Sequence, residues 1–209
     1  MADRISSDAE APASWSSYYE KTGERPPRPT LLKALDAFAV EGMPSGGLAV
    51  DLGCGSGRDT IEILRRGWPV LAVDAEPDAI DKLRTRSDLP DGCEIETLVS
   101  RYEEMALPQS DLINAGFSLP LCPAVAFPGV WRKIVTALRS GGRFSGQLYG
   151  DRDDWAERPG MTCLSHGQVV ELLEPFDVEL LEEEEEDDSV TPRGVQKHWH
   201  IFHIVARKR

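Results

Sequence analysis

Three glycines at alternate positions, Gly53, Gly55 and Gly57, stand between the apolar run Leu48-Ala49-Val50-Asp51-Leu52 and the helical spacing of Ile61 and Leu64. Glycine at such a junction lets the backbone turn through positive φ and lets a ligand lie against the main chain with no Cβ between them. Downstream, Pro69-Val70-Leu71-Ala72-Val73 reads as a second strand ending at Asp74. An acid about 20 residues beyond a glycine loop can accept both hydroxyls of a ribose. The arrangement suits a nucleoside-containing cofactor.

Three ligands compete for the loop. A triphosphate cradle needs lysine followed by serine or threonine after the last glycine, and here Gly57 is followed by Arg58-Asp59. A dinucleotide needs Gly-x-Gly-x-x-Gly and a helix start free for pyrophosphate, whereas this loop is Gly-x-Gly-x-Gly with Asp51 before it and Asp59 in the first helical turn. Two carboxylates repel pyrophosphate and suit a cation such as the ammonium and sulfonium of S-adenosylmethionine. The alternative is a glycine-rich turn without a ligand, and the strand-end acid argues against it. Cys54 lies inside the loop, where a small side chain fits a tight turn and nothing nearby in sequence activates a thiol.

The runs AVDLGCGSGRD and VLAVDAEPDAI resemble the first and second motifs of the class I S-adenosylmethionine-dependent methyltransferases. SDLINAGFSLPL resembles that family's fourth strand, and ALRSGGRFSGQLYG its turn and fifth strand. Within the class the chain is most similar to the small tellurite-resistance-type branch, which shares the Gly-Arg-polar loop ending and a segment like WSSYYEKTGERPP. The resemblance implies a Rossmann-like α/β fold: a mostly parallel seven-stranded sheet with helices on both faces and an antiparallel C-terminal hairpin. It places Asp51, Gly53, Cys54, Gly55, Gly57, Arg58 and Asp59 near the methionine moiety, Asp74 and Ala75 at the ribose, and Asn114 and Phe117 beyond the fourth strand. Two positions depart from the pattern. Arg101 stands where many members carry an acid for the adenine amine, leaving Tyr102 and Glu103 as adenine neighbours, and Ser140 replaces the usual proline before Gly141-Gly142.

Methyl transfer from a sulfonium is an in-line displacement that depends mostly on holding the nucleophile about 3 to 3.5 Å from the methyl carbon. Acceptor-side candidates follow strands four and five: Ser118, Gln147, Tyr149, Arg152 and Trp155. Trp15, Tyr18, Tyr19 and Arg28 fall in an N-terminal segment that reads either as a lid or as an aromatic cluster on the sheet edge. The chain has no Asn-Pro-Pro-Tyr or Asp-Pro-Pro-Tyr run, which the resemblance would require for nucleobase or amide methylation; a small-molecule acceptor is expected, a soft sulfur, selenium or tellurium centre or an oxyanion among the options. In Lys197-His198-Trp199-His200-Ile201-Phe202-His203, strand alternation puts His198 and His200 on one face and Trp199, Ile201 and His203 on the other. His198 and His200 are the general-base candidates, with Tyr149 beside them in the catalytic set; no metal site is expected. Two other functions stay open: a module that binds the cofactor or its demethylated product without turnover, motivated by Arg101, and a nicotinamide-dependent reductase, which the glycine spacing disfavours.

Composition sets the remaining bounds. The 209 residues carry a formal net charge of −13, which disfavours unaided binding to nucleic acid or an anionic membrane. No apolar run approaches a membrane span and no secretory leader is seen, so a cytoplasmic protein is expected, monomer or homodimer. Cys54, Cys93, Cys122 and Cys163 are too scattered for a disulfide framework or zinc knuckle. Residues 1–14 are expected to be a disordered tail, 15–47 a lid and helix, and 48–209 the single catalytic domain. Strands are predicted at 48–52, 69–73, 94–99, 111–115, 142–148, 176–182 and 197–206. Helices are predicted at 30–40, 58–66, 77–86 and 128–139 and, after the capping box Ser165-His166-Gly167-Gln168, through Leu173. The acidic run Glu182 to Asp188 reads as a solvated, self-repelling turn.

Overall fold

The computed structural model describes residues 25–42, 44, 46–190 and 196–209. The expected tail and the lid residues Trp15, Tyr18 and Tyr19 lie outside them. Helix α1 (Pro29–Glu41) opens on proline at its first turn, buries Leu31, Ala34, Leu35 and Phe38 at helical spacing, and stops at Gly42 with φ 93°. Strand β1 (Ala49–Leu52) leads through the glycine loop to α2 (Thr60–Arg65), followed by β2 (Val70–Asp74), α3 (Pro77–Arg84), β3 (Ile95–Val99) and β4 (Ser110–Ala115). Then come α4 (Phe127–Ala137), β5 (Leu138–Gly150), the two-residue β6 (Cys163–Leu164), α5 (His166–Leu172), β7 (Phe176–Val190) and β8 (Gln196–Lys208).

The strands form one sheet in the order β3-β2-β1-β4-β5-β8-β7, with β6 paired to the end of β5. The first five are mutually parallel, and β8 runs antiparallel to both β5 and β7. The parallel part is what the alternating pattern predicts and the antiparallel C-terminal hairpin is what the family resemblance implies, with the short β6 as an eighth strand beyond the seven expected. β1 and β4 are buried at every position, as expected of strands covered on both faces. Val130, Trp131, Ile134 and Ala137 of α4 cover one face, where Trp131 packs edge-on against Phe144 with centroids 5.0 Å apart. α1 and α2 cover the other.

Three boundaries differ from the sequence expectation. β5 begins at Leu138, not after Gly141-Gly142: Leu138 is already extended and buried, and the glycines fall at an irregularity where the β4 register slips between Ser110 and Leu112. β6 has no periodicity to reveal it, being two residues long. The acidic run is strand, not turn. β7 continues through it to Val190, and alternation sends successive glutamates to opposite faces, where an arginine and histidines meet them. Arg152 binds Glu183 at 2.7 Å and Glu185 at 2.9 Å. His198 lies between Glu185 and Asp187, and His203 meets Glu184 at 2.6 Å. The Arg152 hydrogen bonds hold the Glu185 carboxyl down at about 2 and lower that of Glu183. Among the described residues no helix is long and apolar enough to cross a membrane.

One buried cation ties the layers together. Arg143 on β5 is fully buried, with its guanidinium 4.5 Å from the Phe38 ring centroid. It donates to Glu41 of α1 at 2.7 and 3.1 Å and to Glu179 of β7 at 2.8 Å twice. Burial opposes its charge, but the two carboxylates outweigh that and raise its pKa. Arg143→Ala removes the cation that joins both anions and leaves a void beside Phe38, so a loss of about 3 kcal/mol is expected. Thermal unfolding would register this as a midpoint lower by roughly 6–12 °C, whereas a drop below about 2 °C would mean that α1 docks without the ion pairs.

Candidate active site

The parallel register places Asp51 of β1 beside Asn114 of β4, and Asn114 beside Ser145 of β5. These three side chains share the sheet face covered by α1 and α2, and all are buried. Ser145 Oγ donates to Asn114 Oδ1 at 2.8 Å, leaving the Asn114 amide nitrogen to donate to Asp51 at 2.9 Å and to Asp59 at 3.2 Å. Thr60 Oγ1 donates to the second Asp51 oxygen at 2.6 Å. Asp59 receives the backbone N–H of Arg28 at 3.0 Å and its guanidinium at 2.8 Å. Burial, and then the neighbouring Asp59 charge, push the Asp51 carboxyl up to about 6. The site thus holds two buried carboxylates with one guanidinium between them and the surface.

The glycine loop sits directly above this row. Gly53, Gly55 and Gly57 have φ of 69°, 55° and 91°, the left-handed region where a Cβ is strained. Close packing adds a second requirement: a Cβ on Gly53 would lie 2.3 Å from Ser118 Cβ, and one on Gly57 would lie 2.4 Å from Leu83. Protein neighbours, and not a ligand alone, therefore demand glycine at these two places. The Gly55 N–H donates to Asp74 at 2.8 Å, and the other Asp74 oxygen receives the Glu76 N–H at 3.0 Å. Asp74 thus lies at the loop, as its spacing predicts, with Ala75 exposed beside it. Cys54 is turned into the protein, and burial raises its thiol pKa further from reactivity. Arg58 points away along the N-terminal segment, where its Nε donates to Pro26 O at 2.7 Å.

Arg101 is exposed and pairs with Glu103 at 3.3 Å. Lys133 of α4 donates to the carbonyls of Tyr102, Glu103 and Met105, pinning this segment beneath the sheet edge. Burial raises the Tyr102 phenol, whose oxygen approaches Gly53 beside Ser118; Ser118 Oγ in turn donates to Leu52 O at 2.5 Å.

Beyond β4 the backbone is strained. Phe117 has φ 56°, the only positive value outside glycine among the described residues. The Arg28 guanidinium lies 5.3 Å from its ring centroid, and the preceding Gly116 has no room for a Cβ, which would lie 2.8 Å from both Arg28 and Asp59. Phe117 faces Tyr149 at 6.2 Å and His203 at 6.3 Å. Tyr149, Trp155 and Trp199 lie within 5.4–5.7 Å of one another, around the buried Lys197 ammonium. Lys197 pairs with Asp153 and donates to His198 O; burial lowers its pKa against the pull of Asp153. Gln147, between Ser145 and Tyr149 on the same face, donates to Thr30 Oγ1 at 2.8 Å, while its buried Oε1 has no partner among the described residues.

The geometry does not bring His198 and His200 to this place. Both lie on the opposite sheet face, as alternation predicts, and His200 is fully buried against Gly150, where a Cβ would overlap its ring. The Arg152 N–H donates to His200 Nδ1 at 3.1 Å, and the other ring nitrogen meets Glu183 at 2.9 Å. Arg152 is on that far side too, held by the β7 glutamates. His203, opposite Gln147 in the β5–β8 pairing, is the histidine on the site face. Sequence reasoning also missed Gly116, Thr60, Ser145 and Thr30. Asn114 and Ser145 become partners only through strand register, a long-range property, whereas His203 could have been picked by matching its alternation to that of Tyr149.

Residues 49–142 match the family model of the methyltransferase domain. An uncharacterized methyltransferase of Mycobacterium tuberculosis is 31% identical over 156 residues, 70% of this chain and 60% of the relative. A ubiquinone biosynthesis O-methyltransferase of Xanthomonas axonopodis is 28% identical over 101 residues, 48% of this chain and 42% of that protein. The chain thus spans less than two thirds of either relative. Among solved structures, TehB from Haemophilus influenzae superposes with TM-score 0.72 at 16% identity, over 93% of this chain and 66% of that one. Magnesium protoporphyrin IX methyltransferase from Synechocystis, solved with bound S-adenosylmethionine, gives TM-score 0.67 at 11% identity, over 94% and 92%. At such identities the likeness speaks to the fold. Strand order, glycine loop and family match agree in making residues 49–142 a methyltransferase domain.

Proposed function

We propose that this protein transfers the methyl group of S-adenosylmethionine to a small-molecule nucleophile. The observation that carries the reading is the pair of buried carboxylates, Asp51 and Asp59, at the mouth of a glycine loop that ends against Asp74. The donor set fits the cofactor: carboxylates for an ammonium, Arg28 for a carboxylate, and Asp74 for ribose hydroxyls. Pyrophosphate would meet two anions there, which disfavours a nicotinamide reductase. When bound, the cofactor supplies an electrophilic methyl on sulfur. The protein's part is to orient it along Gly53–Gly57 and to hold the acceptor beyond Phe117 and Tyr149, with proximity as the main source of rate. Glu103 and Tyr102 are the adenine-side candidates. Arg101 turns outward onto Glu103, so its presence gives little support to a decayed, binding-only site.

A thermal unfolding series with S-adenosylmethionine, S-adenosylhomocysteine and NADH tests the cofactor. At about 100 times Kd a specific ligand adds roughly 2.7 kcal/mol, a midpoint rise of about 5–11 °C for a chain of this size. A rise with both adenosyl ligands and none with NADH is expected; a rise with NADH alone would refute the reading.

The raised Asp51 pKa adds a pH dependence. Folding disfavours the charged form, so the unliganded protein loses stability as pH rises from the ordinary aspartate value of 3.8 through about 6. A cationic ligand prefers the ionised carboxyl, so affinity for S-adenosylmethionine should strengthen over the same window. Calorimetric titration between pH 5 and pH 7 is expected to show about a tenfold gain in wild type, and a flatter profile with weaker binding in Asp51→Asn. Parallel profiles in the two proteins would remove Asp51 from the binding step.

A further inference from the structure

The acceptor side of the site carries a histidine and carboxylate that the cofactor reading leaves unused. His203 projects from β8 onto the site face beside Phe117, and its Nε2 lies 2.6 Å from Glu184 of β7. A carboxylate accepts only, so this contact calls for a proton on Nε2; in the neutral ring Nδ1 is then a lone-pair acceptor, and it has no hydrogen-bond partner among the described residues. One strand away, the buried Gln147 Oε1 is a second acceptor without a donor. An unpartnered buried acceptor costs about 1–3 kcal/mol, which a ligand hydroxyl would relieve. The walls are aromatic: Phe117 and Tyr149 stand 6.2 Å apart, and Tyr149 continues into Trp155 and Trp199.

Resting on the methyltransferase reading, we propose that the acceptor is an aromatic hydroxyl compound, a phenol or catechol, and that His203, oriented by Glu184, removes its proton. Two unfilled acceptors call for a ligand that brings O–H donors, and aromatic neighbours call for a ring that packs against them. A tellurium or selenium oxyanion needs neither, since it arrives without a proton to lose. In the transfer, the phenolic oxygen's electron pair forms the new O–CH3 bond while the C–S bond breaks with its electrons left on sulfur. The O–H proton goes to His203 Nδ1, Glu184 balances the imidazolium, and the proton then passes to solvent. Glu184 acts through the ring and is a positioning residue.

The test uses the full chain saturated with S-adenosylhomocysteine and 4-nitrophenol as the probe, since its absorbance separates phenol from phenolate without turnover. Bound to wild type, the probe is expected to ionise at a pH below that at which it ionises free in solution. In His203→Gln the bound probe should hold about tenfold less phenolate at the same pH, and in Glu184→Gln about threefold less, with S-adenosylhomocysteine affinity unchanged in both. Glu184 is partly exposed, so its variant keeps the test informative should His203→Gln fold poorly. Failure of 4-nitrophenol to bind, or equal ionisation in wild type and both variants, overturns the proposal while leaving the cofactor reading intact. Failure of wild type to bind S-adenosylhomocysteine at all overturns the methyltransferase reading beneath it.

Discussion

Asn114 donates one amide nitrogen to two carboxylates, Asp51 at 2.9 Å and Asp59 at 3.2 Å, and much of this site follows from that shared contact. Burial first, and then the Asp59 charge beside it, disfavour the ionised form of Asp51, which is why its carboxyl moves up to about 6. Arg28 relieves Asp59 from the outside, while Thr60 and Asn114 relieve Asp51 from within. A positively charged ligand would complete the balance. On the proposed function, this is where a cofactor's cationic end would lie.

Holding that arrangement requires a stiff frame, and the sheet supplies it. Asp51, Asn114 and Ser145 come from three adjacent parallel strands, each fixed by backbone ladders on both sides. α1 is locked across the same face by Arg143, whose guanidinium joins Glu41 and Glu179 over the Phe38 ring. This lock also sets the N-terminal end of α1, where Arg28 and Thr30 reach Asp59 and Gln147. The loops above carry three left-handed glycines and the left-handed Phe117. Rigid strands below and strained turns above is the arrangement expected of a site that must present groups without reorganising.

Much of this was readable from sequence because the signals were local. The glycine spacing, the strand-end Asp74 and the alternation of β and α patterns each depend on a few consecutive residues, and the structure brings Gly55 and Asp74 into direct contact. What sequence misjudged depended on distant partners. The sequence reads the acidic run as a repelling turn because its partners, Arg152, His198, His200 and His203, lie on other segments. Alternation placed His198 and His200 together correctly, yet gave no sign of which face carried the site; the register that sets His203 against Gln147 decides it. Gly53 and Gly57 were chosen for a ligand's sake, and the neighbours that forbid a Cβ there, Ser118 and Leu83, become visible only in three dimensions.

The charge balance at Asp51 and Asp59 is tested most directly by a crystal structure of the protein with S-adenosylhomocysteine. The ribose hydroxyls should lie on Asp74, the amino-acid end should run along Gly53–Gly57, and its ammonium should rest within hydrogen-bond reach of the Asp51 and Asp59 cluster. Adenosine density elsewhere, or an ammonium directed away from both carboxylates, would contradict the claim that these buried acids exist to hold a cationic cofactor.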